Sequence, residues 1–424
     1  MSVSRELKTF EGSVEEAVLK TALTDLVTYD FANLVIEACN ALKPVSFVNA
    51  DVLIQSVYLE ESKEKIYAAD SLEDLKPDST NVEYTFVAYD QLFNTGIVKE
   101  LIDHGIGELR EEWKPAVLAI LKFLRDRKHH QEALSTMKGV GDEAKLTAVM
   151  VQHLFSHLTA GNDYVIDNRS KNLPKYCPCE MENCKALIKN GCTALGSLQT
   201  WHGYADIILN QNIAVSLIEC PSKEKNLCIE TDDKFEEENL SDPIQIDKDE
   251  EAGPSSPKRI CKDDNDNEEK ETQSQQMIDH VIAQTITNAF SQVSKTPALS
   301  GWLIPTFGCA LDHVIALLYD PKNDVLLQCV DKIPIWGRQG LYLPSIVQIW
   351  MFLNFTVFTF KDLADDYELK RSNFHVLAKY RLEDYRQMKS GKAFNPTYDC
   401  DYYSDVLIRM RKKGEKAHKK LAEH

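Results

Sequence analysis

The chain has 424 residues, 43% of them hydrophobic, and a formal net charge of −18. This length and composition suit two or three globular domains with sizeable cores. The negative charge excludes bulk electrostatic attraction to nucleic acid or anionic membranes as a starting assumption. Eleven cysteines, in a chain that opens without the apolar segment of a secretory signal, predict an intracellular protein with reduced thiols or metal ligands.

Residues 1–140 are predicted to form a mainly helical N-terminal domain. Apolar residues recur at helical spacing over residues 14–42 and 96–125, and Pro115 is predicted to start a new helix. Between these segments, residues 82–87 are predicted to form a strand.

From residue 141 the pattern changes to alternating helices and strands. An amphipathic helix is predicted over residues 142–158. The elements predicted after it are strands at 204–209 and 213–218 joined by a hairpin turn at 210–212, a helix at 276–292, and strands at 301–307, 314–319 and 325–330. This order indicates an α/β core in two halves, 141–219 and 276–360, and hence an α+β protein.

The apolar segment 343–360 is the one stretch that invites a membrane assignment. Pro344, Gln348 and Asn354 interrupt it, and it is only marginally long enough to span a bilayer. We therefore predict a buried helix or strand and no membrane partner. Residues 361–424 are predicted to be a helical C-terminal region with a basic tail.

An acidic insert separates the two halves of the core. Residues 220–275 are rich in Asp, Glu, Asn and Ser, and 17 acidic against 6 basic side chains fall between residues 230 and 271. Such a segment buries too little apolar surface to offset chain entropy, so it is predicted to be disordered. Within it, residues 257–262 (PKRICK) resemble a weak nuclear import signal, which would give a nuclear location.

The sequence from Trp201 to Asp206 (WHGYAD) opens the first strand after the amphipathic helix, and the helix after the insert carries Gln284. This arrangement resembles the PD-(D/E)XK nuclease superfamily, which places an acidic strand residue after a helix, then an E-x-K strand, then a helix with a polar residue. The resemblance covers roughly residues 142–335 and implies a restriction-endonuclease-like core.

The resemblance also implies a chemistry. In such nucleases two carboxylates on adjacent strand ends hold Mg²⁺, which polarises a DNA phosphodiester and activates water, and a lysine stabilises the developing charge. Asp206 would be the first metal ligand and Gln284 a phosphate contact. A strand-edge aspartate that caps a turn is the alternative for Asp206.

The second metal ligand and the lysine have no clear position in this sequence. Glu219 ends the second strand but is followed by Cys220 and Pro221, and Asp232 stands two residues after Glu230 where a lysine is needed. The spacing of E-x-K occurs at 268–270, which makes Lys270 a candidate, although a solvated charge run explains the same residues. Two functions therefore stay open: a Mg²⁺-dependent nuclease acting on DNA, and a catalytically inactive scaffold that binds proteins or nucleic acid, in part through the acidic insert.

A separate metal site is predicted from four cysteines within 16 residues, at Cys177, Cys179, Cys184 and Cys192. Four thiolates can close a tetrahedral Zn²⁺ site, while free thiols in a loop are the alternative. A zinc-stabilised adaptor is accordingly a third, weaker hypothesis.

Three further features have ordinary explanations beside functional ones. His153 and His157 share one helix face and are interpreted as a partly buried pair. His202 either touches a phosphate or metal or stabilises its turn. The C-terminal segment 409–420 carries seven basic residues, which either contact phosphates or form a solvated helix end.

Overall fold

A mixed ten-stranded sheet organises the computed structural model, which describes residues 2–54, 86–170, 172–218, 264–363, 367 and 369–388. The strands are β1 (Phe31–Leu34), β2 (Ile36–Cys39), β3 (Val52–Ile54), β4 (Phe86–Val87), β5 (Tyr164–Asp167), β6 (Asn190–Gly191), β7 (Ala194–Gly196), β8 (His202–Tyr204), β9 (Ile207–Leu209), β10 (Ile213–Leu217), β11 (Ile304–Cys309), β12 (His313–Asp320), β13 (Val325–Cys329), β14 (Ile333–Pro334), β15 (Trp336–Gly337) and β16 (Gly340–Leu341).

The order across the large sheet is β4-β1-β13-β12-β11-β10-β9-β5-β6, with β14 also paired to β12. Strands β5, β9 and β10 form an antiparallel meander, and β10 pairs in parallel with β11. A parallel pair needs a crossover, which here includes a long helix that packs on β11 and β12. The fold is therefore α+β.

Helices cover the sheet and account for much of the remaining described chain. They are α1 (Val3–Leu7), α2 (Val14–Thr24), α3 (Tyr89–Leu92), α4 (Thr95–His104), α5 (Lys114–Arg125), α6 (Arg127–Ser135), α7 (Glu143–Met150), α8 (Ser156–Leu158), α9 (Asp264–Lys295), α10 (Leu343–Leu353), α11 (Phe355–Phe358), α12 (Phe374–Ala378) and α13 (Leu382–Arg386). Pro115 occupies the first turn of α5, as predicted.

The predicted helix over residues 14–42 is wrong beyond Thr24. Strand β1 pairs with β13 and β4, and β2 forms a hairpin with β3. All four residues of β1 are buried, including Asn33, so β1 has no solvent-exposed side whose alternation would distinguish it from a buried helix. The large sheet therefore takes strands from the first 140 residues as well as from the later part of the chain.

The predicted hairpin turn and the strands predicted at 213–218, 301–307, 314–319 and 325–330 are confirmed within a few residues. The strand predicted over 204–209 is wrong as one element, because the chain leaves strand geometry at Ala205 and Asp206: Tyr204 ends β8, which pairs with β7, and only Ile207–Leu209 joins the large sheet as β9. The prediction that residues 220–275 are disordered falls partly outside the described residues, which resume at Asp264. Residues 264–275 form the beginning of α9, so the insert prediction extends too far at its C-terminal end. Side chains of α9 are described from Met277 onward.

The apolar segment 343–360 forms α10 and α11, and nine of the eleven α10 side chains are buried in the core. The prediction of a buried element is thus confirmed. Within the described part of the chain, every helix is too short or too polar to cross a bilayer.

Candidate functional site: a buried histidine–cysteine cluster and the Asp206 pocket

The first cluster begins on the helix that precedes the core strands. Asp142 caps α7, and its carboxylate accepts the backbone N–H of Lys145 at 3.2 Å. Between α7 and α8 the backbone adopts a π-helical turn over Val151–Phe155. Such wide turns are rare and often occur at functional sites, and this one has His153 at its centre, 1% exposed.

The second part of the cluster is the segment between β5 and β6. Two backbone hydrogen bonds fold it back on itself, from Cys177 N–H to Ala186 O at 2.9 Å and from Ile188 N–H to Lys175 O at 3.0 Å. Within the resulting loop the N–H of Cys184 donates to Met181 O at 3.0 Å. The loop thereby brings three cysteines, distant by up to seven positions in sequence, to one point.

His153, Cys177, Cys179 and Cys184 present ligand atoms that all lie within 4.8 Å of one another. Nε2 of His153 is 3.3 Å from Sγ of Cys177 and 3.4 Å from Sγ of Cys184. A tetrahedral zinc with ordinary Zn–S and Zn–N bonds places its ligand atoms roughly 3.6–3.8 Å apart. The cluster could therefore hold a metal ion such as zinc after shifts of up to about 1 Å in the ligand positions.

Burial controls the protonation of these groups. It raises the pKa of the Cys177 and Cys179 thiols above the ordinary range, although the Cys179 N–H lowers the first and the Met181 N–H the second. Burial, with the nearby His129 and His157, lowers the pKa of His153 to about 3. Without metal, Cys177 and Cys179 are neutral thiols and His153 is a neutral imidazole, and a bound cation is what would favour the thiolates.

The predicted zinc ligand set needs two corrections. Cys192 is exposed in the turn between β6 and β7 and lies outside the cluster. Its place is taken by His153, for which the helical spacing predicts only a partly buried pair with His157. The sequence signal for His153 was its apolar helix face some 24 residues before Cys177, but only the tertiary contact between helix and loop connects the two.

The second site lies further along the chain, where the WHGYAD sequence leads from β8 into β9. Trp201 is fully buried, its backbone N–H donates to the Tyr385 hydroxyl at 3.0 Å and its indole N–H to Asn40 Oδ1 at 2.9 Å. A Cβ added to Gly203 would lie 2.5 Å from the Phe47 ring, which explains the glycine. These contacts fix the chain just before Asp206.

Asp206 stands between the ends of two neighbouring strands. Its Oδ2 accepts the backbone N–H of Leu217 in β10 at 2.7 Å, and its carbonyl oxygen accepts the N–H of Asp167, the last residue of β5, at 3.0 Å. Burial, Glu143 and Asp167 raise the pKa of Asp206 to about 7, while the Leu217 N–H and Arg169 act in the opposite direction.

Asp167 is a neighbour that the sequence did not predict. Asp167 is 8% exposed, and both oxygens of its carboxylate accept hydrogen bonds from the Arg169 guanidinium, the shortest at 2.9 Å. Ser216 precedes Leu217 in β10, and its hydroxyl donates to Gln284 Oε1 at 2.7 Å. Gln284 also donates to Tyr204 O at 3.4 Å and thus ties α9 to the sheet.

The remaining predicted site residues are distributed differently. Glu219, the import-signal segment 257–262 and the basic segment 409–420 lie outside the described residues. Lys270 is in α9, a helix rather than the strand that an E-x-K motif requires. Nδ1 of His202 lies 3.0 Å from Thr200 O, which accords with the turn-stabilising alternative.

Comparisons of the chain with protein-family models, with curated proteins and with solved structures found no match. The geometry of the two sites is therefore the basis for a proposed function.

Proposed function

We propose that His153, Cys177, Cys179 and Cys184 bind one structural Zn²⁺. The observation that carries this proposal is the convergence of three sulfurs and one imidazole nitrogen within 4.8 Å in the protein interior. Four protein ligands close a tetrahedral coordination sphere and leave no position for substrate, which is the arrangement of structural rather than catalytic zinc.

The position of the cluster gives the metal a role. It joins the helix before β5 to a loop after β5, and this loop belongs to the insertion 168–206, which has few hydrogen-bonded strands. The same insertion carries Trp201 and Gly203, which set the position of Asp206. A metal that closes this loop reduces the conformations open to the unfolded chain and holds the insertion against the sheet.

Metal binding should release protons, because three thiols must become thiolates. The Cys177 and Cys179 thiols have raised pKa values, so affinity for zinc is expected to increase as the pH rises through the neutral range. His153 is neutral without metal and contributes no proton.

Metal analysis of the purified full chain tests the proposal. We expect about one zinc per chain, displaceable by Co²⁺ with the absorption bands of a tetrahedral thiolate complex. Cys179→Ser should abolish stoichiometric binding, and Cys192→Ser, a matched change at an exposed cysteine outside the cluster, should not. Metal-free wild-type protein that stays metal-free in added zinc would refute the site.

For the whole chain, we propose a nuclease-like core that acts as a scaffold without catalysis. The helical segment from α7 to α8, the paired strands β5, β9 and β10, and then α9 and β11 follow one another along the chain, with β6, β7 and β8 inserted after β5, and this order supports the resemblance to PD-(D/E)XK nucleases. The residues that flank Asp206 on β10 argue against catalysis, because Ser216 and Leu217 stand where the neighbouring strand end would supply a carboxylate.

The partner class of such a scaffold is a basic protein or peptide, through the acidic residues of the insert. Binding of a lysine-rich peptide by the full chain should be strong at low salt and weak at high salt. Deletion of residues 225–260 should remove it, and undiminished binding after the deletion would contradict this proposal.

Mg²⁺-dependent cleavage of DNA is a second candidate, favoured by one observation. Asp167 and Asp206 end adjacent strands, as the two metal-binding carboxylates of such nucleases do, and Arg169 supplies a nearby cation. Cleavage of a DNA panel with Mg²⁺ or Mn²⁺ that is lost in Asp206→Asn but kept in Asp163→Asn would support it. If the wild-type protein does not cleave DNA with either metal, the nuclease candidate is excluded and the non-catalytic scaffold remains.

A further inference from the structure

We infer that His130 is a positioning residue for the metal ligand His153. Nδ1 of His130 accepts a hydrogen bond from the Nδ1–H of His153 and so keeps the Nε2 lone pair of His153 directed at the cysteine sulfurs. The inference rests on the proposed zinc site, since it names the residue that orients one of its ligands.

The two ring nitrogens of His153 face different partners. Nε2 lies 3.3 and 3.4 Å from the sulfurs of Cys177 and Cys184, while Nδ1 lies 3.3 Å from Nδ1 of His130 on α6. His130 is 3% exposed, so this contact is closed to solvent. The imidazole of His153 is therefore held between a thiol cluster and a second imidazole.

The tautomers follow from hydrogen-bond rules. A neutral imidazole carries one N–H, and a nitrogen that binds metal must be unprotonated, so His153 carries its proton on Nδ1. The acceptor of that proton must then be an unprotonated Nδ1, which places the proton of His130 on Nε2.

Packing alone gives no reason for a histidine at position 130. The ring stacks on Phe123 with a centroid distance of 4.8 Å and an interplanar angle of 4°, a contact that phenylalanine would make equally well. Nε2 of His130 is buried and, within the described residues, has no hydrogen-bond partner. The unsatisfied Nε2–H costs about 1–3 kcal/mol, which phenylalanine at this position would avoid. What histidine offers in return is the acceptor at Nδ1, which contacts His153.

Three variants separate the acceptor from the packing. The amide oxygen of asparagine can occupy the position of Nδ1, while that of glutamine reaches the position of Nε2. We expect zinc affinity, measured by competition with a chelator, to fall about 10–100-fold in His130→Phe and His130→Gln and to be restored in His130→Asn. Equal affinity in all four proteins would overturn the inference while leaving the zinc site intact.

Nitrogen-15 NMR of the wild-type imidazoles provides a readout that a purely structural role would not affect. His153 should be the Nδ1–H tautomer and His130 the Nε2–H tautomer, in zinc-free as well as zinc-loaded protein. An Nε2–H tautomer for His153 in either form would overturn the inference, even if a variant failed to fold. Absence of zinc binding by the wild type would instead defeat the proposed function, and the tautomers of the metal-free protein would still decide the role of His130.

Discussion

The histidine–cysteine cluster, which is largely buried, and the Asp206 pocket, where the aspartate is only partly buried, both involve the insertion 168–206, yet they satisfy their polar groups differently. The Asp206 carboxylate is stabilised by groups of the protein itself, through the hydrogen bond from the Leu217 N–H and the positive charge of Arg169. The cluster gathers three thiols and an imidazole whose separations suit a tetrahedral ion. A shifted pKa occurs at both sites and does not distinguish them. The convergence of several ligand atoms on one point distinguishes a candidate metal site from a single polar residue with a structural role.

Metal removal should have the largest effect on this comparison. With free zinc about 1,000-fold above its dissociation constant, a site that only the folded protein forms contributes about 4 kcal/mol to the unfolding free energy. Chelation should therefore lower Tm and raise hydrogen exchange in the loop around Cys177 and Cys184, but less so at Leu217. Chelation that leaves loop exchange unchanged would show that the two sites do not differ in this way.

The pH dependence of stability should distinguish the Asp206 pocket. Because the folded pKa of about 7 lies above the ordinary aspartate pKa of 3.8, the folded state binds the proton more tightly. The resulting stabilisation is present below about pH 4 and is lost as the pH rises towards 7, an effect on the order of 4 kcal/mol.

Asp206→Asn has no such proton, so its unfolding free energy should fall less than that of the wild type between pH 4 and 7. Denaturant titrations of both proteins in chelator measure the difference, and parallel curves would mean that Asp206 is not perturbed by burial.

The next largest effect is expected at Gly203, whose backbone lies close to the Phe47 ring. Gly203→Ala should destabilise by about 1–3 kcal/mol, because its Cβ would collide with the Phe47 ring. Gly107→Ala is the control, since the nearest atom to its Cβ is 3.7 Å away. The two midpoints in denaturant should differ, and a shift for Gly107→Ala as large as that for Gly203→Ala would place the constraint elsewhere.

The smallest effect concerns the cation near Asp206. Arg169 lowers the pKa of Asp206, so Arg169→Gln should raise it further, by less than the shift that burial causes. Carbon-13 NMR titration of the Asp206 carboxyl measures this. Arg127→Gln, on α6 and away from the pocket, should leave the titration unchanged. A lowered pKa in Arg169→Gln would reverse the proposed electrostatics.

The sequence predicts those elements whose apolar pattern and turn residues lie within a short stretch of chain. The hairpin of β9 and β10 follows from two short apolar runs around Asn210, and the apolar stripe of α9 follows from its helical period. Strand β1 was mistaken for helix because its identity depends on β13, nearly 300 residues later. Its four buried residues carry no alternation that could indicate a strand.

The candidate sites show the same limit. Three cysteines of one loop could be grouped from spacing alone, but whether Cys192 or His153 completes the set depends on how that loop meets the π-helical turn. Asp167 was missed because nothing in its own sequence neighbourhood points to Asp206. The contact arises from the pairing of β5 with β9.

The pairing of β1 with β13 also has a consequence for synthesis of the chain on the ribosome. Strand β1 emerges first but cannot complete its hydrogen bonds until residues beyond 329 have left the exit tunnel. Until then its edge, and the matching edge of the growing sheet, are open to pairing with other chains. A fragment that begins at residue 141 lacks β1, so the edge of β13 that pairs with β1 would stay exposed. We therefore expect residues 141–424 to aggregate when expressed alone, and residues 2–424, which keep β1, not to aggregate.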